Sequence, residues 1–149
     1  MQFKKTFIYL NLILLTNILF INALHADDGA KGIVKERMDK FKTSKTLMQK
    51  INKGLQNQDF NAIEKSADQL LIWSKEMIKY FPEGSDGMPS EASINIWKDP
   101  DGFKTAINNF QNASLNLITK SQTKDMEQTV NAFRDLAGTC KGCHKKYRN

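Results

Sequence analysis

From Val34 to its C-terminus the chain repeats its apolar residues at every third or fourth position and nowhere alternates them with polar ones, so packed helices are the way it can bury them. A first run carries Val34, Met38, Phe41, Met48, Ile51 and Leu55, with a break expected near Gly54. A second follows Asp59 as a cap, carries Phe60, Ile63, Ala67, Leu70, Leu71, Trp73, Met77 and Ile78, and stops at Phe81-Pro82. Gly84, Ser85, Gly87 and Pro89 mark one long loop. A third helix is expected from Asp99-Pro100, burying Phe103, Ala106, Ile107, Phe110, Ala113 and Leu117. A fourth, starting near Thr123, would bury Met126, Val130, Phe133, Ala137, Cys140, His144 and Tyr147. Short links between the first and second helices and between the third and fourth favour antiparallel neighbours. The expected fold is an all-α antiparallel four-helix bundle in one domain, without internal repeats or low-complexity segments.

The last of these runs contains Cys140-Lys141-Gly142-Cys143-His144, the C-x-x-C-H pattern of covalent haem attachment. On a helix the two thiols fall on one face, where each can add to a porphyrin vinyl group, and His144 one residue on turns its imidazole toward the iron. Cys140 and Cys143 are the only cysteines of the chain, and the only other histidine, His25, lies in a segment that reads as cleaved. The expectation is one covalent haem c with His144 as its axial ligand. Structural zinc wants four ligands where the mature chain offers three. Thioredoxin-like chemistry wants a βαβ unit beside its C-x-x-C, and a disulfide inside one helical turn would be strained.

Residues 1–26 read as a secretory signal: Lys4 and Lys5 begin it, Phe7 to Ile21 form an apolar stretch interrupted by Asn11 and Asn17, and Leu24-His25-Ala26 offers a cleavage site before Asp27. The apolar stretch falls short of the roughly 20 residues that span a bilayer, so no membrane anchor is expected after cleavage near Ala26. Residues 27–149 then form the bundle. Removing the signal lowers the net charge from +6 to +4, an excess spread along the helices with none of the basic and aromatic interleaving of a nucleic-acid site.

Cys140 to Arg148, read as C-x-x-C-H-x-x-Y-R, resembles the cytochrome c prime family, four-helix-bundle c-type cytochromes with haem near the C-terminus. Val34-Lys35-Glu36-Arg37, Phe81-Pro82-Glu83-Gly84-Ser85, and Ile96-Trp97 followed by Phe103 support the resemblance, which covers about residues 31 to 149. It implies a periplasmic haem protein, often a homodimer, that carries electrons or binds nitric oxide or carbon monoxide. Through the same resemblance Arg37 is expected near a haem propionate, Phe41 over the open iron face, and Arg148 near the proximal imidazole. Read from its own chemistry, Arg37 can hold a carboxylate by paired hydrogen bonds or sit on the surface beside Glu36.

The leading functional expectation is therefore a periplasmic monohaem cytochrome with five-coordinate iron, serving electron transfer, small-gas binding, or both, and not an enzyme. Phe41 has no lone pair to donate, whereas Met38, one turn earlier, would make a low-spin electron carrier if it reached the iron. Met48, Met77 and Met126 are expected to fill the core. A haem-free exported helical binding protein with a Cys140–Cys143 disulfide is the alternative from another class. No redox partner protein is specified by the sequence.

Overall fold

The computed structural model describes residues 29–149; the expected signal, its cleavage near Ala26 and His25 lie outside them. The described chain forms α1 (Gly32–Asn57), α2 (Phe60–Glu76) prolonged by a 3-10 turn (Met77–Tyr80), a single-turn α3 (Asn95–Lys98), α4 (Pro100–Gln122) and α5 (Met126–Tyr147). Aspartates start three of the long helices, each satisfying a backbone amide that has no partner inside the helix. Asp59 accepts from the Ala62 N–H at 2.9 Å, Asp99 from Gly102 at 3.1 Å with Pro100 in the first turn, and Asp125 from Gln128 at 3.0 Å. The last cap corrects the expected start near Thr123: Lys124 adopts φ 57°, and α5 begins only after Asp125.

The break expected near Gly54 does not occur. α1 runs on to Asn57, where Gln58 turns left-handed (φ 55°) and the Asp59 N–H returns to the Gly54 carbonyl at 2.8 Å. Gly54 is where α2 crosses closest, because a Cβ there would stand 2.8 Å from Ile63 Cγ1 and 3.2 Å from the Asp59 carbonyl. Gly54→Ala should therefore lose stability although alanine is the better helix former: overpacking costs roughly 1–3 kcal/mol, against about 1 kcal/mol gained in propensity. A denaturant midpoint that rises for this variant would overturn the close-packing account.

α1 packs on α2, α2 on α4, and α4 on α5, while the fourth side, between α1 and α5, is only sparsely closed. Ile51, Ile63, Leu70, Leu117 and Leu136 are fully buried where the helices meet. On α5 the stripe differs from the expected one. Thr129, Ala132, Leu136 and Tyr147 are the buried residues, whereas Val130, Phe133, Cys140 and Cys143 are half-buried and Ala137 and His144 are exposed. Of the expected positions Tyr147 is buried, and the others lie on the neighbouring flank of the same helix. Spacing of three and four marks an apolar stripe without saying which edge of it meets the other helices.

The end of α5 is clamped. Ser93 N–H donates to the Tyr147 carbonyl at 3.0 Å, Asn149 N–H to the Glu91 carbonyl at 2.9 Å, and the Asn95 amide to the Lys146 carbonyl at 3.1 Å. Asp99, besides capping α4, accepts from Lys146 Nζ at 2.5 Å and Tyr147 Oη at 3.0 Å. These donors, Lys146 foremost, hold its carboxyl below the usual carboxylate range. The last turn of α5, which carries His144, is thus tied to the loop and to the start of α4.

Candidate haem site

The open side of the bundle is a cavity of about 630 Å³ reached by α1, α2, α4, α5 and the loop, a size suited to a bound cofactor, for which pockets run roughly 300–1,000 Å³. Ala137, Cys140, Cys143 and His144 line it from α5, and Met38, Phe41, Lys42, Lys45 and Met48 from α1. Both cysteines are free thiols. Burial, and after it the neighbouring Cys140, pushes the Cys143 thiol up to about 11, and burial also raises Cys140. A redox dithiol of the thioredoxin kind depends on the opposite shift. The His144 imidazole is shifted down, first by desolvation and then by Arg148, with Glu91 opposing, which favours the neutral ring that can donate a lone pair.

Phe41 stands opposite His144. Their ring centroids are 6.4 Å apart at 69°, and Phe41 is also held edge-on by Trp73 at 5.7 Å and Phe81 at 6.3 Å. Met38 lines the same cavity and is half-buried, so both residues named from the sequence for this face reach it. Met48 and Met77, read as core, line the cavity too, Met77 from a buried position.

Arg37 is no surface residue: only 3 % of it is exposed. One terminal nitrogen donates to the Tyr80 carbonyl at 3.1 Å and Ser85 Oγ at 2.7 Å, and the other to the Ser85 carbonyl and, at 2.5 Å, Ser90 Oγ. Its guanidinium lies 4.8 Å from the Phe81 ring centroid. Burial lowers its pKa, and Asp86 partly offsets this. Arg37 lines the cavity, yet its four terminal N–H bonds serve the end of the 3-10 turn and the loop, which leaves Nε–H as the donor a carboxylate in the cavity would meet. Arg148 also lines the cavity and pairs with Glu91 through Nε at 2.6 Å.

Two contributors had no sign in the sequence. Trp73 looked like one more residue of an apolar stripe; it is buried, lines the cavity, and its indole N–H has no acceptor. Such a buried donor without a partner is uncommon. Lys42 and Lys45 line the cavity from α1, and their charges fit a cofactor that carries carboxylates. Glu91 is one of three loop acids, beside Glu83 and Asp86, and only the fold brings it to Arg148.

A bundle whose last helix turns C-x-x-C-H toward a cavity on its open side, with an aromatic ring facing the histidine, is the architecture of a helical-bundle c-type cytochrome. The family model for cytochrome c' matches residues 32–148, and the chain belongs to that family. Among curated relatives, cytochrome c' of Rhodospirillum rubrum is 41% identical over 69 residues, 46% of this chain and 47% of the relative. That of Rubrivivax gelatinosus is 37% identical over 76 residues, 50% of this chain and 59% of the relative. The chain thus spans about half the length of the curated relatives it matches. Among solved structures, cytochrome c' of R. gelatinosus superposes with a TM-score of 0.70 at 26% identity, over 78% of this chain and 94% of the other. Cytochrome c prime of Shewanella frigidimarina gives 0.72 at 25% over the same shares. A nitric oxide complex of a variant from Alcaligenes xylosoxidans gives 0.70 at 25%, again over 78% and 94%. The four-helix bundle expected from the apolar spacing is the observed fold.

Proposed function

We propose that this chain is an exported monohaem c-type cytochrome that exchanges single electrons and binds small gases such as nitric oxide or carbon monoxide on the Phe41 side of the site. The observation that carries the reading is the placement of Cys140, Cys143 and His144 on one cavity-facing flank of α5, opposite Phe41. Haem c, when bound, supplies the one-electron couple and an iron face open to diatomic ligands. Cys140 and Cys143 would hold it by thioether bonds, His144 would supply a nitrogen ligand to its iron, and Lys42, Lys45 and the Arg37 Nε–H would be the donors for its carboxylates.

Phe41 covers the opposite face without offering a lone pair, which supports five-coordinate iron. The side chains around it, Met38, Trp73 and Phe81, include no acid and base pair, which supports binding and electron exchange over catalytic turnover. The nitric oxide complex solved for the A. xylosoxidans variant adds support for the gas ligand. Residues 1–26 serve as the export signal in this reading and place the mature bundle, residues 27–149, in the periplasm. Among the described residues no helix is long and apolar enough to cross a membrane. The homodimer implied by the family resemblance is part of the same proposal, and size measurement of the mature protein tests it.

Expression in a host with haem-attachment machinery tests the central claim. The expected product is red, heavier by one haem, and keeps its colour in the protein phase on acid acetone extraction. Colour that leaves with the solvent would remove the thioether assignment. A colourless protein of unmodified mass would remove the cytochrome reading.

A further inference from the structure

Glu91 sits on the loop that clamps the end of α5. Its carbonyl accepts from Asn149 N–H at 2.9 Å, and its neighbour Ala92 bridges to Arg148 in antiparallel fashion. Its carboxylate takes the Arg148 Nε–H at 2.6 Å, and a terminal nitrogen of the same guanidinium approaches the same oxygen. Both side chains line the cavity that His144 lines, and the Arg148 N–H donates to the His144 carbonyl at 3.2 Å. The pair is about half exposed, at 52% and 59%, so it adds little to stability. A charge beside a redox site acts differently: an unbalanced cation there disfavours the more positive oxidised state.

We propose that Glu91 is a positioning residue of the site, fixing the Arg148 guanidinium beside His144 and balancing its charge there, so that the reduction potential is set by the pair and not by Arg148 alone. This rests on the cytochrome reading above. The test is a spectroelectrochemical titration of the haem-loaded wild type, Glu91→Gln, Arg148→Gln and the double variant, with thermal midpoints measured alongside.

Glu91→Gln should raise the potential and Arg148→Gln should lower it, with thermal midpoints close to that of the wild type. The rise caused by Glu91→Gln should shrink in the Arg148→Gln background, because the carboxylate then has no partner to hold it near the site. The iron–His144 stretching band in resonance Raman spectra should shift in Glu91→Gln. An unchanged potential in Glu91→Gln, or a rise of equal size with and without Arg148, would overturn the positioning role. A preparation without attached haem would overturn the parent reading and this proposal together, and it is recognised by colour before any titration begins.

Discussion

Carbon monoxide is expected to bind the ferrous Phe41→Ala protein about five to a hundred and fifty times faster than the wild type. In the wild type the ring must move aside to admit a ligand, and it is held edge-on by Trp73 and Phe81. Each such aromatic pair contributes about 0.5–1.5 kcal/mol beyond its area, so displacing the ring costs roughly 1–3 kcal/mol, and each 1.4 kcal/mol is a factor of ten in rate. Flash photolysis measures the rate directly, and the haem should stay attached because Cys140, Cys143 and His144 are untouched. An unchanged rate would mean that Phe41 does not guard the iron. A wild-type low-spin ferrous spectrum that becomes high-spin on Met38→Ala would make Met38 the sixth ligand and the protein chiefly an electron carrier.

Arg37→Ala should lower stability by about 1–3 kcal/mol, the cost of leaving buried neutral acceptors without their charged donor. The Tyr80 and Ser85 carbonyls would lose their donor, the Ser85 and Ser90 hydroxyls would lose theirs, and the Phe81 ring would lose its cation. Arg37→Lys should recover little, since one ammonium cannot reproduce a planar fork that serves four acceptors. Urea unfolding of the haem-loaded protein measures this as a lower midpoint at nearly constant slope. A shift of reduction potential with no change in midpoint would instead show that Arg37 serves the cofactor's carboxylate and that the loop holds without it.

The four long helices could be read from the chain because their signals are local: apolar spacing, aspartate caps at Asp59 and Asp99, and proline after Asp99 are physics of neighbouring residues. The haem motif was legible for the same reason, since two cysteines and a histidine within five positions share a face on any helix. Caps and breaks were less secure. The start read near Thr123 lies instead after Asp125, and Gly54 looks like a terminus until α2 is seen crossing it.

Arg37 shows where local reading stops. An arginine beside Glu36 on a helix suits a surface or a carboxylate equally well, and its commitment to Ser85 and Ser90 depends on a loop some fifty residues away folding back over α1. The same holds for the Glu91–Arg148 pair, for the unpartnered Trp73 N–H, and for the flank of α5 that meets the core. Each depends on how the helices are rotated and how the loop closes the end of the bundle. Those are set by packing summed over the whole core, and no single segment encodes them.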